Sequence, residues 1–203
     1  MNREHVRARV FGAVFVLAQC AFAAAEGWGP IGRTAIVTTA AHVVSRDLQF
    51  PLSQYEQYVR EGAELTSEEL LDIYPNVDIN PERTIEDEIQ LLQAVRTDRL
   101  DPYFAFRFGA IGQIVADAVA PMATTSPQYR DAYFRDAEQY IRTAKMNPAP
   151  RRPIDATYFP ERTRQAAAQD VTIEMDYRSA LGFRGLGLAS LSTDASRCVN
   201  SVA

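Results

Sequence analysis

Apolar residues in this chain recur at three- and four-residue intervals in at least four segments, a spacing that predicts amphipathic helices. Ile31 to Ser45 is rich in Ala, Val and Thr. Its Thr-Thr and Val-Val pairs also fit a strand, and it is read as helix. Gln54 to Glu61 reads as a short helix ended by Gly62. Thr66-Ser67-Glu68-Glu69 has the form of a capping box, opening a helix that stops before Pro75. Thr84 is expected to cap a helix whose apolar face is Ile85, Ile89, Leu92 and Val95. Asp101-Pro102 opens another, with a stripe of Phe104, Phe108, Ile111, Val115 and Val119 that ends at Pro121. Ser126-Pro127 starts an amphipathic helix to about Lys145. Asn147 to Pro153, with three prolines, reads as a loop. One long helix is expected from about Pro160 to Leu181, then a glycine-loosened stretch and a last helix from Leu188 to Val202. The pattern predicts an all-α protein.

The N-terminus changes the picture. Arg3, Arg7 and Arg9 precede an apolar run from Val10 to Ala18, and small residues crowd Ala21 to Ala25. That order is the mark of a secretory signal, and the run is far short of the roughly 20 residues a spanning helix needs. Residues 1–25 are therefore expected to be a signal peptide, with export to the periplasm or the exterior. Cleavage before Glu26 and cleavage before Trp28 both satisfy the small-residue rule. A lipid anchor on Cys20 is the lesser alternative, because Gln19 is large for the position before it. No later segment is apolar enough to span a membrane. The chain stops at Ala203 without a polar tail, as a fragment of a longer reading frame would.

Charge and composition then narrow the chemistry. The formal net charge is −5, and loss of residues 1–25, with three Arg and one Glu, makes it more negative by two. An acidic surface opposes non-specific attraction to nucleic acid. Cys198 is the one cysteine left after processing, so no internal disulfide is expected in the mature chain. His42 is the one histidine left, which leaves almost no route to a zinc site of the commonest kind. The acidic run Glu82, Glu86, Asp87 and Glu88 is expected to face water near the start of its helix. Tyr129, Tyr133, Phe134 and Tyr140 recur at helical spacing and read as core or interface.

Two motifs carry a resemblance. Trp28-Gly29-Pro30-Ile31-Gly32-Arg33, followed by Ala41-His42-Val43-Val44-Ser45, is similar to the mature N-terminus of the zinc-dependent phospholipase C and single-strand nuclease family. Gln113 to Ala123 resembles the family's His-x-x-x-Asp-x-x-x-x-x-His run, with Asp117 at the ligand aspartate and Pro121-Met122 at the Pro-Leu/Met pair. Gln113 and Ala123 stand where the family has histidines, and Arg33 where nuclease-type members have another. Weaker likeness extends to Gly187–Val202.

The resemblance implies one all-α domain over residues 28–203, a bundle of about six helices. It implies helix for Ile31–Ser45. It also implies a cleft lined by Arg33, Gln113 and Asp117, with Gln113 and Asp117 on one helix face. In the family the N-terminal Trp and the Asp bind metal, so Trp28 and Asp117 would be the ligands if any metal were kept. The lost histidines favour an exported, non-catalytic or weakly active relative. Its cleft would bind a small molecule, phospholipid or protein, or be filled by an Arg33–Asp117 pair, and no cofactor is expected. The alternative is a metal-dependent phosphodiester hydrolase using zinc or, on oxygen donors, another divalent ion.

Overall fold

Thr66, Asn80 and Asp101 each start a helix by the same local chemistry. A side-chain oxygen accepts the backbone N–H three residues on: Glu69 for Thr66, Arg83 at 3.0 Å for Asn80, Phe104 at 2.8 Å for Asp101. Glu69 returns a carboxylate to the Thr66 N–H at 2.8 Å and completes the capping box. The computed structural model describes residues 27–48, 52–95, 100–150 and 157–203. The expected leader, residues 1–25, and Cys20 lie outside the described residues.

Every regular element among the described residues is helical. In chain order these are α1 (Pro30–Leu48), α2 (Glu56–Ala63), α3 (Ser67–Ile73), α4 (Pro81–Val95), α5 (Pro102–Ala118) and α6 (Pro127–Tyr140). Then follow α7 (Tyr158–Ala167), α8 (Asp170–Arg178) and α9 (Leu186–Val202). Short 3-10 turns occupy Leu52–Tyr55, Ile141–Thr143 and Gly182–Arg184. None of the described helices is long and apolar enough to cross a membrane.

There are more segments than the six expected, and two departures have clear causes. The helix expected from Pro160 to Leu181 is broken between α7 and α8. The restart at Asp170 points its carboxylate into the protein, where it is fully buried and accepts N–H groups from Met122 (2.7 Å) and Thr124 (3.1 Å). Thr84 does not cap α4. The helix begins one turn earlier, at Pro81, because Asn80 holds the cap, and the Thr84 hydroxyl donates back to the Asn80 carbonyl at 3.1 Å.

Helix α5 is the centre of the fold. It is buried without interruption from Gly109 to Ala116 and contributes to three apolar clusters. On one side Trp28, Ile36 and Val43 meet Tyr133 and Phe134 of α6 and Leu191, Ala195 and Val199 of α9. On a second side Val37 and Ala41 of α1 meet Val59 and Ala63 of α2. On the third, Ile85 of α4 packs with Ile111, Ile114 and Val115. Each large side chain removed from water contributes about 1.5–3 kcal/mol.

The tightest pairing is α2 with α5, where Gly62 and Gly109 let the two backbones touch. A Cβ on Gly62 would overlap the Phe106 carbonyl oxygen, and one on Gly109 the Val59 carbonyl oxygen. Neither carbonyl belongs to a side chain that could swing away.

Glu88 corrects the expectation for the acidic run. It is buried, and both carboxylate oxygens take hydrogen bonds from Arg107 of α5, from Nε at 2.7 Å and from one terminal nitrogen. The Arg107 guanidinium in turn lies 5.0 Å from the centre of the Tyr74 ring. An ion pair between helices, satisfied by a fork of donors, lets one carboxylate of the run turn inward.

Two measurements follow from this packing. Gly109→Ala should cost about 3 kcal/mol or more in urea unfolding, at the upper end for overpacking, because both partners in the clash are backbone. Cys198 is fully buried, with its thiol 3.6 Å from the Ala116 carbonyl oxygen. Burial pushes its pKa up to about 12. Iodoacetamide at neutral pH should therefore leave Cys198 unmodified in the native protein and label it in urea, read by peptide mass mapping.

Candidate binding cleft

The first turn of α1 and the residues leading into it supply N–H groups that no residue of the helix satisfies. Two carboxylates from other helices satisfy them. Glu138 of α6 accepts from Ile31 at 3.0 Å and from Gly32 at 2.7 Å. Asp117 of α5 accepts the Trp28 N–H at 2.9 Å. Negative charge at the positive end of a helix adds to each bond. The Trp28 indole is buried and meets Phe134 edge-on, with ring centres 5.5 Å apart.

The spacing of the Trp28–Arg33 motif follows from this docking. A Cβ at Gly27 would overlap the Asp117 side chain and one at Gly29 or Gly32 the Glu138 side chain, so a larger residue there would push the carboxylates off these bonds. Arg33, one turn on from Gly29, places its guanidinium 3.2 Å from the other Asp117 oxygen. Asp117 thus joins Trp28 and Arg33, the two ends of the motif.

Beside this pair lies a cavity of about 320 Å³. Gly27 and Arg33 line it from α1 and the residues before it, and Ile114, Asp117 and Ala118 from α5. Ser67 and Leu70 of α3, Val77 and Asp78 ahead of α4, Pro81 at its start, and Arg130 and Phe134 of α6 complete the wall. Pro121 and Ala123 form a further edge. The loop carrying them is pinned by Asp170, which holds Met122 at φ 68, a left-handed conformation rare for a residue with a side chain.

Arg33 and Asp117 therefore come together in one cleft as expected. Gln113 does not join them. It is fully buried, and its amide donates to the Gly62 carbonyl at 2.9 Å. Gln113 lies one turn below Asp117, at the level where α2 presses on α5, and that contact closes over it. His42 is exposed on α1, 3.2 Å from Glu56, away from the cavity.

The residues present do not fit a metal. A guanidinium sits 3.2 Å from Asp117, the one carboxylate that the resemblance would give to an ion. No group of three or more His, Cys, Asp and Glu able to hold an ion forms among the described residues.

Two residues of the site escaped the sequence. Glu138 gave no local sign, since its partners lie on another helix. Arg130 did leave one. It shares a helical face with Tyr133, Phe134 and Ala137, all buried, so a cation stands on the inward stripe of α6. Its Nε is buried and has no acceptor among the described residues.

Comparison with protein-family models, with curated proteins and with solved structures finds no match to the chain.

The Arg33–Asp117 pair is half-shielded, with 15% and 30% of the two side chains exposed, so its removal should cost less than that of a fully buried pair. Arg33→Ala should lower stability by about 1–3 kcal/mol in urea unfolding. Asp117→Ala should cost more, because the Trp28 N–H loses its acceptor too. The double variant should be more stable than the sum of the single losses implies, since no charge is left unpaired.

Proposed function

We propose that the chain is an exported, non-catalytic binding module, a relative of the zinc-dependent phosphodiesterases whose metal cleft has become a ligand cavity. The observation that carries this reading is the Arg33–Asp117 contact at 3.2 Å. Where the resemblance implies a metal held by an aspartate and a histidine, an arginine stands in the histidine's position and neutralises the aspartate. The guanidinium supplies the positive charge that an ion would have supplied, but it cannot ionise a water or polarise a phosphoryl oxygen as a Lewis acid does. The cavity beside it is within the size range of small-molecule sites, with apolar walls and a few polar groups.

The alternative, a metal-dependent phosphodiester hydrolase on a reduced site, keeps one supporting observation. Trp28 and Asp117, the two ligand positions that the resemblance retains, touch at 2.9 Å. Elemental analysis of the purified exported protein separates the two readings. The binding module predicts zinc, manganese and calcium each far below one equivalent, and no hydrolysis of a chromogenic phosphodiester when these ions are added. Near-stoichiometric metal that is retained through dialysis, together with hydrolysis, would replace it with the enzyme.

A further inference from the structure

The charges facing the cavity do not balance in kind. Arg33 is matched by Asp117. Asp78 also lines the cavity, but it is exposed and solvated at the rim. Arg130 is half-buried on α6, makes no ion pair or side-chain hydrogen bond among the described residues, and carries a buried Nε–H with no acceptor. Arg197 offers an instructive contrast. Its Nε is likewise without an acceptor, yet Asp194 neutralises it at 2.6 Å in the core. No carboxylate among the described residues does this for Arg130. A half-buried guanidinium without a counter-charge is costly, and an anion entering the cavity would relieve that cost. Arg33, whose Nε–H is also buried without an acceptor, adds a second donor on the same wall.

The remaining walls are apolar. Leu70, Val77, Ile114 and Phe134 line the space that the arginines face. A bare inorganic ion would leave that surface wet, whereas a ligand with a hydrocarbon part would cover it. Guanidinium forks match carboxylate and phosphate oxygens equally well, so the wall selects an anionic group rather than one particular acid.

We propose that the cavity binds a small organic anion, with its carboxylate or phosphate group held by Arg130 and its apolar body against Ile114, Leu70 and Phe134. The proposal rests on the binding-module reading above and adds the ligand class to it.

Calorimetric titration of the full chain with sodium octanoate, octyl phosphate, inorganic phosphate and 1-octanol tests it. At least one octyl anion should bind with one-to-one stoichiometry. Octanol and inorganic phosphate should each bind about tenfold more weakly or worse. Arg130→Gln should weaken the octyl anion by about tenfold or more and leave octanol unchanged, and Arg130→Lys should restore part of the loss. Circular dichroism and the melting temperature of both variants check that they fold. Octanol binding as tightly as the octyl anions, an Arg130→Gln variant that folds and binds them undiminished, or no binding of either octyl anion would overturn the proposal. Those outcomes leave the binding-module reading in place if the protein is free of metal. Retained stoichiometric metal with hydrolysis would remove that reading itself, whichever probe binds.

Discussion

The site depends on how the start of α1 meets two carboxylates. A helix entering a protein interior brings N–H groups that need acceptors, and burying them unpaired would cost about 1–3 kcal/mol apiece. Asp117 and Glu138 are those acceptors, and they sit on different helices, α5 and α6. One terminus is therefore held by two other elements at once. The docking brings the Trp28 indole onto Phe134 and sets Arg33 against Asp117. It also brings the first residues of α1 up to the face of α6 from which Arg130 reaches the cavity. The cleft is the space beside the terminus on which α5 and α6 converge, closed by α3 and the start of α4.

Local chemistry was the legible part of the fold. Thr66 and Asp101 start their helices as their side chains predict, because a cap is settled within four residues of chain. The expected Arg33–Asp117 contact formed as well, although the residues are far apart in sequence. The misplacements share a physical origin in partners supplied by another element. Gln113 was read by its helix face alone, and the glycine contact between α2 and α5 decided its environment. Glu88 looked solvated until Arg107 reached it from the next helix. Asp170, within an apparently continuous helical stretch, was claimed by the Met122–Thr124 loop and broke the helix there. A periodic pattern tells which face of a helix is apolar. It does not tell which buried carboxylate has an N–H waiting for it elsewhere in the chain.

The Trp28–Arg33 motif gains a meaning that does not depend on metal chemistry. Its glycines make room for Glu138, its tryptophan fills the core, and its arginine closes on Asp117. A motif shaped by docking and a motif shaped by metal binding share the same demand for a chain terminus brought close to acidic side chains.

The position of α9 bears on how the molecule is made. Ala195, Cys198 and Val199 are fully buried, and the helix packs on both α1 and α5. Among the described helices these are the last, the first and the central one. During synthesis the N-terminal helices leave the ribosome long before α9 exists, and domains fold as units. Until α9 arrives, Ile36 and Val43 on α1, together with Ala116 on α5 and Val119 just after it, lack the surface that covers them. Until α9 emerges those apolar faces stay uncovered, an interval in which a chaperone has something to hold.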